Sequence, residues 1–298
     1  MKESYTYNPV RFFFVANVIT WATWLIAAYF SYQPSGESKG LISILELIGL
    51  FAPLGTALLM IFTSSSNELK HNFYDRILNP KLISISSIPV IMFIIPIAVV
   101  ISILISYLFL GQSLSQLAIA KVMPSTAGLI PFPVMIFGAA LIEELGWKGY
   151  GVDSLRGKHT FFTVTLIYGT LWAFWHIPLF FINGYYHNII LRANPLFAMN
   201  FMVSVFAMAF IINWLWYKNS GNILTAILVH ATANFQGLLQ MGQIAKCIET
   251  IVLIVFTIII VSLNRKMFFD KFPPQIGYFG PINFGVGPDN NPVSMDKC

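Results

Sequence analysis

Residues 82–110 read LISISSIPVIMFIIPIAVVISILISYLFL, a run without a single Asp, Glu, Lys or Arg. A helix that crosses the hydrocarbon core of a bilayer needs roughly 20 mostly apolar residues, since about 1.5 Å per residue must cover about 30 Å. This run satisfies that length. Working outward from it, seven more stretches qualify: 10–32, 41–62, 126–155, 160–182, 195–217, 221–240 and 247–264. Turn chemistry separates them, as in Gln33-Pro34-Ser35-Gly36, the polar run Thr63 to Lys81, Arg156-Gly157-Lys158-His159 and Asn219-Ser220-Gly221-Asn222. The expected fold is therefore all-α, a polytopic integral membrane protein with about eight transmembrane helices surrounding an intramembrane polar site. Composition agrees: 57% of residues are hydrophobic and 10% charged, against about 25% charged in a soluble domain.

The eight stretches form one transmembrane domain, 1–271, and residues 272–298, with Pro273-Pro274, scattered Gly and Asn290-Asn291-Pro292, read as a disordered or loosely attached tail. The run from Val10 to Tyr32 exceeds a signal-peptide core and is expected to stay as an anchor. Cys247 and Cys298 are too few for a disulfide framework and belong to no Cys/His metal cluster. The net charge of +5 comes from scattered bases, with no basic block to bind nucleic acid; membrane lipids are the surroundings implied. No internal repeat of the kind found in many transporters is visible.

An even number of spans places both termini and alternate loops on one side. That side carries thirteen of the Lys and Arg residues, and the other only Lys39, Lys121, Arg192 and Lys246. The bias predicts a multi-pass protein of the cell membrane with both termini cytoplasmic.

Against this background, ionisable residues inside spans stand out, because each is costly there and a functional role is the default reading. The fourth stretch contains Ala139-Ala140-Leu141-Ile142-Glu143-Glu144-Leu145-Gly146-Trp147-Lys148, the fifth Trp172-Ala173-Phe174-Trp175-His176, and the seventh His230-Ala231-Thr232-Ala233-Asn234. Measured from the terminus-bearing side, Glu143 lies ~18 Å along its helix, His176 ~24 Å, and His230 and Asn234 ~14 and ~20 Å. A common site partway into the bilayer, reached from the cytoplasm, satisfies those depths. His230 and Asn234 share a face, and small neighbours such as Ala139, Ala226, Ala233, Gly146, Gly169 and Gly237 leave room for a cavity or for close helix packing. Adjacent carboxylates point about 100° apart. Glu144 with Lys148 makes an i, i+4 pair in the favourable order, which gives Glu144 a structural or orienting role and leaves Glu143 as the free base. His71, His159 and His187 fall in predicted loops and read as solvated; Glu46 and Glu249, near span ends, read as snorkelling.

These patterns, in this order on three spans, resemble the CAAX prenyl endopeptidase and bacteriocin-processing (ABI) family, the type II CAAX prenyl endopeptidases in particular. The family pattern is E-E-x-x-x-R, then F-x-x-x-H, then H-x-x-x-N. Here lysine stands for arginine at Lys148 and tryptophan for phenylalanine at Trp172, while His230 and Asn234 match. A point charge does not replace a guanidinium fork, so a bidentate role does not transfer to Lys148. The resemblance covers about residues 126–240. It implies an intramembrane protease whose partner is the C-terminus of a prenylated protein or peptide, cut after the lipidated cysteine to release a tripeptide.

For such a reaction Glu143 is the expected base, with His176 positioning water or shuttling the proton and His230 and Asn234 forming the oxyanion hole. No cofactor is preferred. The competing arrangement is a zinc ion held by Glu143 or Glu144, His176 and His230 with water in the fourth position. The sequence lacks H-E-x-x-H, and Asn234 suits an oxyanion better than zinc. A non-enzymatic transporter, immunity protein or scaffold is the alternative class.

Overall fold

The computed structural model describes residues 5–34, 38–77, 79–119, 132–157 and 159–270. The tail beyond 272, the start of the 126–155 stretch, and Lys2, Lys121, Lys158, Lys271 and Lys297 lie outside the described residues. Regular structure among the described residues is helical apart from one isolated β-bridge between Ile119 and Leu239.

The chain runs through α1 (Pro9–Ser31), α2 (Lys39–Phe62), α3 (Asn67–Ile77), α4 (Ile88–Leu110) and α5 (Phe132–Gly146). A π turn, Trp147–Gly151, carries α5 into α6 (Val152–Arg156). Then follow α7 (Phe161–His176), α8 (Tyr186–Ala193), α9 (Pro195–Lys218), α10 (Ile223–Phe235), α11 (Gln243–Leu263) and α12 (Arg265–Phe269). Six segments are long and apolar enough to cross a membrane: α1, α2, Ile85–Leu110, Phe161–Phe181, α9 and α11. The remaining two predicted stretches correspond to α5 through α6 and to α10.

Side-chain caps start these helices where the sequence has Asn or Thr. Asn8, Thr160, Asn194 and Asn222 each accept a first-turn backbone N–H, and Pro9 and Pro195 occupy positions where a missing N–H costs nothing. α4 stops at Gly111, whose φ of +63° suits a residue without Cβ. Phe93, Ile97, Leu104 and Leu108 of α4 remain exposed and face outward, as expected of a helix whose solvent is lipid.

Contacts between distant segments define two ends of the bundle. At the terminus-bearing end, Tyr150 Oη accepts the backbone N–H of Asn8, Asn219 accepts that of Ser84, and Arg76 of α3 pairs with Asp153 of α6 at 2.9 Å. At the other end, Ser31 and Tyr32 bond Asn183 and Asn188, and Asn200 reaches Lys246 O. Three of the bases used to infer orientation, Arg76, Arg156 and Lys148, prove to be buried partners of carboxylates.

α5 occupies the centre, packed between α2 and α10. A Cβ on Gly146 would stand 2.6 Å from the backbone of Pro53 and Leu54 in α2, so glycine is needed for the approach. Gly169 similarly abuts Phe206 and Ala209 of α9. Of the small residues expected to make room, these two serve close packing, whereas Ala139, Ala233 and Gly237 border an open space.

Candidate functional site

Three helices bring the in-span polar groups together. Glu143 and Glu144 diverge from α5 as adjacent helical residues must. Glu144 is fully buried; its Oε1 accepts from His230 Nδ1 of α10 at 2.9 Å, and its Oε2 lies 3.4 Å from Lys148 Nζ one turn along. Lys148, also fully buried, additionally sits 4.1 Å from the centre of the Tyr168 ring. Where the family pattern has arginine, the lysine ammonium approaches one oxygen of Glu144 as an ion pair and the histidine occupies the other.

Glu143 turns instead toward α7, where Trp172 Nε1–H donates to its Oε2 at 3.0 Å. This bond depends on the tryptophan that departs from the family's phenylalanine, and its donor function went unread in the sequence. His176, the last residue of α7, uses Nδ1–H to donate to Trp172 O at 2.7 Å. In the neutral ring that leaves Nε2 as an acceptor. Pro178 then converts the backbone to a 3-10 turn, Ile177–Phe181, so the histidine ends its helix at the cavity wall. Asn234 Nδ2 donates to Ile136 O of α5 at 3.1 Å, which fixes the amide orientation and leaves its second N–H available.

Glu143, His176, His230 and Asn234 line one cavity of about 590 Å³, while Glu144 and Lys148 stand behind it. Its walls are largely apolar, including Leu47, Leu50, Met135, Met208 and Leu253. The cavity extends along α2 to Ser43, along α9 to Phe197 and along α11 to Gln243. All three lie at the end opposite the termini. The expected approach from the terminus-bearing side is therefore corrected for the described residues: Gly146, Trp147 and Lys148 pack solidly there, and the space among the described residues extends the other way.

Other expectations also change. His187 is not a solvated loop residue; it sits on α8, buried to 7% exposure, and borders the cavity with its ring 5.8 Å from that of His176. Burial, with His176 and Lys246 pushing the same way, sets its pKa well below the ordinary imidazole value. Glu249 is 4% exposed and Glu46 half-buried, and both line the cavity, so snorkelling does not describe them. The signal for His187 was its neighbours: Tyr185-Tyr186-His187 is too aromatic for an ordinary exposed loop. His71 and His159 are exposed, as expected.

Among the described residues, no three His, Cys, Asp or Glu side chains are grouped as a metal site requires. His230 and Lys148 already take the two oxygens of Glu144.

Residues 124–236 match the family model described as Type II CAAX prenyl endopeptidase Rce1-like. The chain is also 36% identical over 272 residues to CAAX prenyl protease 2 of Methanococcus maripaludis, an alignment spanning 91% of this chain and 99% of that relative.

Removing one partner of a buried ion pair strands the other charge, at about 3–5 kcal/mol. Lys148→Met should lose that much stability in thermal or denaturant unfolding in detergent. A loss under about 1 kcal/mol would show that the Glu144–Lys148 contact carries little charge.

Proposed function

The chain belongs to the type II CAAX prenyl endopeptidase family and is a membrane protease of that kind, and we propose that it removes the C-terminal tripeptide after the prenylated cysteine, using water activated by Glu143. The observation that carries this reading is the division of the two glutamates: one carboxylate is held by His230 and Lys148, and the other faces the cavity and accepts the N–H of Trp172.

In the proposed step, water sits between Glu143 and Nε2 of His176, both of which Trp172 positions. Glu143 takes a proton as the oxygen attacks the carbonyl carbon of the prenylcysteine. The resulting oxyanion accepts from the free N–H of Asn234 and from Nε2–H of His230. The histidine can supply that N–H as an imidazolium, because Glu143, Glu144, Lys148 and His230 then sum to zero charge in a medium that tolerates no excess. Collapse breaks the C–N bond, and Glu143 returns its proton to the leaving amine. No step requires zinc. The apolar walls suit the aliphatic residues of the peptide, and the prenyl chain, held in the bilayer by about 0.8 kcal/mol per CH₂ removed from water, enters laterally from there.

The test is product mass and rate for matched peptides with and without the prenyl group. Release of the intact tripeptide, strongly favoured by prenylation, is expected; cleavage elsewhere or equal rates would contradict the reading. His230→Ala and Asn234→Ala should each lower kcat roughly 10²–10³-fold with little change in KM. Weakened binding at intact turnover would remove them from the oxyanion hole.

Orientation in the cell membrane rests on two arguments that disagree. The base count puts both termini in the cytoplasm, yet a substrate's soluble body cannot cross the bilayer to a cavity opening at the other end. The cavity is the stronger constraint, since it concerns the substrate directly and three of the counted bases are buried in ion pairs. For substrates made in the cytoplasm, we propose that residues 239–242 face the cytoplasm. Gln240→Cys in a cysteine-free background should then resist an impermeant maleimide in intact cells and react after lysis. Labelling in intact cells would restore the orientation given by the base count.

A further inference from the structure

A peptide cut three residues from its end carries a free α-carboxylate into the site. That anion is expensive to place in an apolar cavity unless a cation meets it. Among the described residues lining the cavity, Lys246 is the only lysine or arginine. It lies in the first turn of α11, at the open end. Its Nζ donates to Tyr186 Oη at 3.0 Å and stands 4.4 Å from that ring's centre, and no carboxylate of the described residues lies within 4.0 Å of it. Glu46 and Glu249 border the same space without pairing with it.

His187 supplies a second, independent observation. Although its side chain is more than nine-tenths buried, neither Nδ1 nor Nε2 has a hydrogen-bond partner. A buried imidazole with both nitrogens orphaned loses hydrogen bonds that water would have given it, unless a ligand replaces them. Its ring borders the cavity between His176, at 5.8 Å, and Tyr186, at 5.6 Å. The rings of His176, His187 and Tyr186 thus connect the catalytic end to the Lys246 ammonium. The steps of 5.8 and 5.6 Å between rings and 4.4 Å from ring to ammonium set an upper limit on that separation, and a tripeptide at roughly 3.3–3.6 Å per residue reaches across it only when extended, with water at one end and a charge-assisted hydrogen bond at the other.

We propose that Lys246, with His187 beside it, forms the subsite for the free C-terminal carboxylate of the peptide substrate. The ammonium pairs with the carboxylate at the wet end of the cavity, and His187, held neutral by its surroundings, bonds the last peptide unit. The scissile bond is thereby set at a fixed distance from the chain end, so the subsite acts as a ruler for tripeptide release. This rests on the protease reading above, and the experiment separates the two.

The experiment compares two prenylated peptides identical except that one ends in a carboxylate and the other in a carboxamide. Wild-type protein should show a KM at least tenfold lower for the acid. In Lys246→Gln the acid-to-amide ratio of kcat/KM should fall to near one, Lys246→Arg should keep most of the preference, and His187→Ala should reduce it. Thermal unfolding confirms that each variant is folded. If wild-type protein cleaves acid and amide equally, the subsite proposal fails while the protease reading stands. If the preference survives in Lys246→Gln, the carboxylate is read elsewhere and Lys246 serves another anion, such as a lipid phosphate. If neither peptide is cleaved, the proposed function itself fails.

Discussion

A carboxylate buried in a membrane bundle has to be met by positive charge or hydrogen bonds, and Glu144 is met by both: His230 Nδ1 at 2.9 Å from α10 and Lys148 Nζ at 3.4 Å from its own helix. The rest of the site depends on that arrangement. It ties α5 to α10, sets the His230 ring so that Nε2 is left for the cavity, and leaves Glu143 on the other side of α5. Trp172 then holds Glu143 through one N–H and holds His176 through its carbonyl.

Among the described residues the bundle is filled at one end and hollow toward the other. The π turn after Gly146, the close approach to Pro53 and the Arg76–Asp153 pair fill the terminus-bearing half. Toward the opposite half about 590 Å³ is free among the described residues, bordered largely by apolar side chains, with Glu143, His176, His230 and Asn234 at its inner part and Lys246 toward α11's first turn. In the proposed mechanism Glu143, His176, His230 and Asn234 act where water is scarce, which would strengthen the hydrogen bonds on which an oxyanion depends.

Much of this was readable from the chain. Apolar run length located the membrane helices, because the bilayer imposes its thickness on every span. Misplaced charges picked out residues that the structure gathers around one cavity, and the i, i+4 spacing of Glu144 and Lys148 anticipated their pairing even across a π turn. Three features were hidden for physical reasons. The hydrogen bond from Trp172 to Glu143 depends on how α7 is rotated against α5, which one helix's pattern does not encode. The burial of His187 arises from α8 folding back beneath α9. The direction of opening depends on which residues fill space between helices, whereas depth along each axis fixes only how far in the site lies.

The central claim is that Glu143 activates water without a metal. The direct measurement is single-turnover cleavage of a prenylated peptide in ¹⁸O-water, with zinc quantified before and after chelation. The account predicts an undiminished rate at substoichiometric zinc, one ¹⁸O in the new carboxylate of the prenylcysteine, and no product from folded Glu143→Gln. Loss of the rate on chelation, with recovery on adding one equivalent of zinc, would contradict it.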